Sequence, residues 1–162
     1  MDELLCKAKE VNPELTLEVI FADSLDALHG TEQLVASLKE QGKLKDVHFL
    51  LELNVLGKKT PKIFATSETT KIEFDHFRAV EKRLKDKNLL INHSSSYFDG
   101  EVQEYSGLWT EATPFLDENV ATMRLMDEQL VRAHDEEVIL DEDVCNNILR
   151  ILSIFLGDYL CQ

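Results

Sequence analysis

Apolar and polar positions along the chain change period several times, and each change marks an element. Leu15-Thr-Leu-Glu-Val-Ile-Phe-Ala22 is apolar or β-branched at nearly every position, which predicts a strand fully buried towards its end. Before it, Leu4 to Val11 reads as a short helix closed by Asn12-Pro13. Leu34, Val35 and Leu38 then recur at helical spacing, so a helix is expected over about 31–41, with Gly42 as its stop. A second strand is predicted over 47–55 and a turn over 57–61, followed by a short strand or an extended connection over 62–66. Phe74, Phe77, Val80 and Leu84 share one face of a helix over about 74–87. From Asn92 to Leu108 the chain is polar, with Ser94-Ser-Ser96, Gly100 and Gly107, and reads as a long surface loop. A short helix over 112–117 leads into a third strand over 120–125, and 127–143 reads as acidic loop. Val144, Ile148, Ile151, Leu152, Phe155 and Tyr159 repeat at helical spacing and give the clearest element, a closing helix capped by Asp141 or Asp143.

Strands that alternate with helices imply an α/β fold. The expectation is a mostly parallel or mixed central sheet sandwiched by helices, formed as a single domain over residues 1–162. In such sheets ligands gather beyond the carboxyl ends of the strands. The loops after Ala22, Glu52 and Leu125 are therefore the places to look for chemistry.

Composition narrows the partners. Seventeen Lys and Arg against thirty-one Asp and Glu give a formal net charge of -14, a field that repels phosphate backbones and anionic lipid. Nucleic acid and membrane surfaces are not expected partners, whereas a solubilising acidic surface is the ordinary use of such charge. The N-terminus lacks the basic and long apolar runs of a signal peptide, so the chain as written reads as cytoplasmic, or as secretory if its N-terminus is incomplete. Cys6, Cys145 and Cys161 form no CxxC pair; the last two sit in an apolar helical pattern as small packing groups, and a bridge from Cys6 to either stays open.

Candidate chemistry is sparse. Asp23 and Asp26, then Glu52, then His134 with Asp135, Glu136 and Glu137 are carboxylates and a histidine at separate strand ends, the donor types a catalytic zinc site uses. Their spacing is too loose for a motif, and GxSxG, P-loop, GxGxxG and HExxH patterns are all missing. His29, His48, His76 and His93 are scattered, with His48 placed inside a strand, and are expected to be packed or surface histidines.

The order of short motifs resembles the glutaminyl-peptide cyclotransferases, relatives of the zinc aminopeptidases. The buried strand ending in Asp23-Ser-Leu-Asp26, with Ala27-Leu-His-Gly-Thr-Glu-Gln-Leu-Val35 after it, is similar to the family's strand, acidic loop and helix start. Phe49-Leu-Leu-Glu-Leu53, Phe77-Arg-Ala-Val-Glu-Lys-Arg-Leu84, Thr113-Pro-Phe-Leu116, Leu140-Asp-Glu and Ile151 to Leu160 look like later family segments in the same order. The resemblance implies a zinc-aminopeptidase-like fold, in reduced form, and conversion of N-terminal glutamine to pyroglutamate at one zinc.

Carried over residue by residue, that activity weakens. The family's acid/base Glu falls on Leu25, which moves no protons. Its metal-binding Glu falls on the shorter Asp26, and its metal-binding His on His134. The strand Asp falls on Glu52, and the Asp before the Pro-Phe-Leu segment falls on Thr110 with Glu111 beside it. An aromatic loop is missing between Asp26 and Ala27, and the resemblance begins after the family's long N-terminal part and its first metal-binding Asp. The expectation is a non-catalytic member acting through binding or assembly, with no cofactor. The alternative is a zinc-dependent cyclotransferase whose site is remodelled or completed by a partner, with Glu52 and Glu111 as catalytic carboxylates and Asp26 and His134 as metal ligands. A peptide ligand, a protein partner or a homo-oligomer formed through an exposed sheet edge would fit either.

Overall fold

The computed structural model describes residues 14–20, 28–54, 57, 63–64, 71–98, 110–127 and 140–161. Helix α1 spans Leu28–Glu40 and is followed by a single 3-10 turn, Leu44–Asp46. Strands β1, Leu50–Asn54, and β2, Ile63–Phe64, precede helix α2, Lys71–Asp86. A short helix α3, Thr113–Asp117, leads into strand β3, Thr122–Asp127, and helix α4, Glu142–Leu160, closes the fold.

Three helices end the same way. Gly42, Asn88 and Asn119 all take positive φ, at 68°, 54° and 61°. At each, the next residue's N–H reaches back to the carbonyl five positions earlier: Lys43 to Leu38, Leu89 to Leu84 and Val120 to Phe115. These are Schellman closures, and glycine or asparagine tolerates the left-handed residue they need. At the other end of α4, the Asp141 carboxylate accepts the Val144 N–H at 3.1 Å, so of the two expected caps Asp141 is the one used.

The sheet has the order β1-β3-β2. β1 runs parallel to β3 with Glu52 opposite Arg124, and β2 pairs antiparallel with the end of β3. Alternation along β3 sends Met123 and Leu125 to one face, where Phe74, Phe77, Val80 and Leu84 of α2 and Val144, Ile148, Ile151, Leu152 and Phe155 of α4 complete the main core. Leu50, Val120, Phe115 and Val35 form a smaller cluster on the other face, under α1 and α3. The expected α/β architecture, a mixed sheet between helical layers, is what forms.

Several elements depart from their expected boundaries. Residues 15–20 are not in a strand, and Leu17, Val19 and Ile20 stand 53%, 66% and 46% exposed rather than buried. β-branched residues favour an extended backbone but do not supply a neighbouring strand, and none of the described strands pairs with this segment. His48 lies exposed just before β1, not inside it. The polar run after Asn92 is not all surface loop, because Tyr97 and Phe98 are 6% and 0% exposed and plug the main core. Of the two forms expected near residue 62, the short strand is the one adopted. The helix expected over 4–11, Cys6 and most of the acidic loop lie outside the described residues.

Gly57 fastens the chain after β1 to the start of α4. Its carbonyl accepts the Asp141 N–H at 2.8 Å, its φ is +123°, and a Cβ there would lie 2.6 Å from Cys145 Sγ. Gly57→Ala is expected to lower stability by about 1–3 kcal/mol from the backbone alone. Adding Cys145→Ala should return only part of the loss, since it removes the clash and leaves the strained φ; thermal melts of the two variants check this.

Candidate functional site

The middle of β1, rather than its carboxyl end, carries the one strand carboxylate that the sequence singled out. Glu52 and Arg124 are cross-strand partners in the parallel register, so both side chains leave the sheet on the α1 and α3 face. Arg124 Nε donates to Glu52 Oε2 at 3.1 Å, and the two side chains are 5% and 10% exposed. Its Nη2 donates to the hydroxyls of Thr110 and Thr113, the latter at 2.9 Å. Thr110 Oγ1 in turn donates to Glu52 Oε2 at 2.9 Å and accepts the Ala112 N–H at 3.3 Å. The Thr110 N–H donates to Thr113 Oγ1 at 2.9 Å, so the turn into α3 is folded around the guanidinium.

The cluster engages one oxygen of Glu52 and leaves the other without a partner. Glu52 Oε2 holds Arg124 and Thr110, while Glu52 Oε1 is buried with no hydrogen-bond partner. Burial pushes the Glu52 carboxyl above its ordinary 4.5. The Thr110 hydrogen bond and the Arg124 charge pull the other way without cancelling the effect of burial, and the Glu111 carboxylate adds repulsion. An ion pair at 3.1 Å and a raised carboxyl pKa are compatible here because removal from water outweighs a single guanidinium.

Of the residues expected to do chemistry, Glu52 and Glu111 come within electrostatic reach of each other. Asp26 and His134 lie outside the described residues. Among the described residues no group of three or more His, Cys, Asp or Glu side chains is placed to hold a metal ion. Arg124 was missed by sequence reasoning, although a signal existed. In the run Thr122-Met-Arg-Leu125 it is a lone cation in a strand otherwise fit for burial, and a buried arginine demands an anion.

Comparison with known proteins gives this arrangement a setting. No protein-family model matches the chain. The glutaminyl-peptide cyclotransferase-like protein of Bos taurus is 27% identical over 180 residues, covering 99% of this chain and 47% of that protein. The Mus musculus protein of the same name is 25% identical over 180 residues, again 99% of this chain and 47% of its own. The glutaminyl-peptide cyclotransferase of Drosophila melanogaster is 25% identical over 148 residues, 83% of this chain and 42% of that one. The crystal structure of an Acidobacteriales bacterium glutaminyl cyclase has the same fold, with a TM-score of 0.56 at 18% identity over 88% of this chain and 48% of that one. The chain is related to the glutaminyl-peptide cyclotransferases. It spans about half the length of these glutaminyl cyclase relatives. Within the glutaminyl-cyclase-like fold, the Glu52 cluster is centred on the middle of the parallel β1–β3 pairing, short of the carboxyl strand ends where open α/β sheets collect ligands. No helix among the described residues is long and apolar enough to cross a membrane.

Proposed function

We propose that this chain is a non-catalytic glutaminyl-cyclase-like protein that acts by binding, with a peptide as the ligand class its relatives suggest. The observation that carries this reading is the clamp on Glu52, whose Oε2 holds Arg124 Nε and the Thr110 hydroxyl. A buried guanidinium beside the strand carboxylate opposes a divalent cation at the same point. It also lowers the value of that carboxylate as a metal ligand, because one oxygen is already engaged. Glu52 therefore does not fit a zinc centre. The residues left to hold zinc would be Asp26 and His134, with Leu25 in place of a proton-transferring side chain.

A second reading, a zinc-dependent cyclotransferase with a remodelled or partner-completed site, has one observation in its favour. Glu52 Oε1 is buried without a hydrogen-bond partner, and burial raises the carboxyl pKa, the direction a general acid needs. Zinc content separates the two. Elemental analysis of the purified chain after soaking and desalting in zinc is expected to find well under one zinc per chain. A stoichiometric ion lost in Asp26→Ala and His134→Ala variants would favour the enzyme.

A further inference from the structure

The described sheet has two edges, and they are not alike. β2 is two residues long and offers little to pair with. β1 is five residues long, Leu50–Asn54, and pairs with β3 along one side. The Leu50 N–H donates to the Ala121 carbonyl at 2.8 Å. In a parallel ladder the N–H and C=O of one residue point to the same neighbour, and the direction alternates along the strand. Leu50, Glu52 and Asn54 therefore face β3, whereas Leu51 and Leu53 turn both groups outward. Among the described residues no strand meets them there. Sheet edges are commonly blunted by lysine or proline. Leu-Leu-Glu-Leu-Asn contains neither, its one charged side chain is engaged by Arg124, and Leu53 is half exposed.

The same chain carries a segment with the opposite need. Residues 15–20, Leu-Thr-Leu-Glu-Val-Ile, have strand composition but belong to no strand, and Leu17, Val19 and Ile20 stand in solvent. Leu15, Leu17 and Val19 alternate with Thr16, Glu18 and Ile20, so a strand made from them has one wholly apolar face. Laid beside β1 with that face on the side of Leu51 and Leu53, the segment would extend the main core that Phe49 and Leu51 already border. Setting Leu17 beside Leu53 in the parallel direction, or beside Leu51 in the antiparallel one, puts Thr16 next to Glu52. Glu18 then falls beside Asn54 or Leu50, so no two carboxylates stand directly opposite each other.

We propose that residues 15–20 of one copy add as a strand to the outer edge of β1 in a second copy, and that the exchange is reciprocal, giving a closed two-fold dimer. Each copy then both donates and accepts a strand, which makes the contact self-complementary. Within one copy the segment joins none of the described strands, so pairing across copies covers an exposed apolar segment and a bare edge together. This goes beyond peptide binding and does not depend on it. The formal charge of -14 on each chain opposes association, so the dimer should tighten as salt screens the repulsion.

Sedimentation velocity on the full chain over a concentration series, at low and moderate salt, tests the pairing. The expected result is a reversible shift from the 18.5 kDa chain to twice that mass, reached at lower concentration in the higher salt. Leu17→Lys with Val19→Lys should raise the dissociation constant by about tenfold or more. Both side chains are exposed in one copy, so the melting temperature of the dilute chain should not change. Ile72→Lys, at an 81% exposed apolar residue on α2, should leave the dimer intact. A chain that is monomeric at every concentration, or a dimer that survives the double variant or weakens equally in Ile72→Lys, overturns the proposal. Amide hydrogen exchange on the unaltered chain gives a second reading should the double variant not fold. Protection of Leu51 and Leu53 is expected to rise with concentration, and by more than that of Leu50 and Glu52, which already bond to β3. Protection of Leu51 and Leu53 that is independent of concentration overturns the exchange.

Discussion

Arg124→Met should be among the most damaging substitutions in the chain, costing about 3–5 kcal/mol. The reason is what it leaves behind rather than what it removes. Arg124 is 5% and Glu52 10% exposed at their side chains, so the variant strands a carboxylate in a dry site with Thr110 as its remaining partner. The turn into α3 suffers as well, since the guanidinium also bonds the hydroxyls of Thr110 and Thr113. The diagnostic is the double variant. Glu52→Leu with Arg124→Met replaces the pair by apolar groups and should recover most of the stability, because a buried ion pair is worth little over a packed apolar pair. Denaturant unfolding of the single and double variants gives the coupling; additive losses would show that the pair is not the unit described here.

Phe155→Ala should cost a similar amount, about 3–5 kcal/mol, through a different cause. Its ring is fully buried, 5.0 Å from Phe77, 5.2 Å from His76 and about 6 Å from Phe49 and Tyr159. It is the point where α4, α2 and the entry to β1 meet, so the cavity cannot close without moving three elements. For a chain of this size the loss lowers the melting temperature by roughly 6–20 °C. Leu149→Ala, on the exposed side of the same helix, should change stability by less than about 1 kcal/mol and serves as the control.

The parts of the fold that were legible in the sequence are those whose signal is local. The apolar stripes of α2 and α4 fix both helices and the faces they bury, and Gly42 marks the end of α1 as expected. Asn88 and Asn119 close two further helices by the same geometry, yet asparagine is a weaker marker than glycine and gave no boundary. Leu15 to Ile20 shows the opposite case. The segment carries strand residues, but whether a strand forms depends on a pairing edge that sequence pattern does not encode. At the candidate site, Glu52 was found because a carboxylate in an apolar strand is conspicuous, although it lies at the middle of β1 and not at the strand end expected. Arg124, the residue that decides what Glu52 can do, emerged only from the register that sets the two side by side. His93 was read as a packed or surface histidine. Its burial selects the packed alternative, and the carboxylate facing it from α2 is a contact of tertiary origin.

Under the proposed function, the strand carboxylate of this glutaminyl-cyclase-like chain is held by Arg124 for binding, not chemistry. Mass-spectrometric detection of pyroglutamate from a peptide with N-terminal glutamine tests it most directly. The chain is compared with a protein-free control, with and without added zinc. Conversion at the control rate is expected in both conditions. Conversion well above control that needs zinc and is lost in Glu52→Gln would contradict it and make the chain a cyclotransferase.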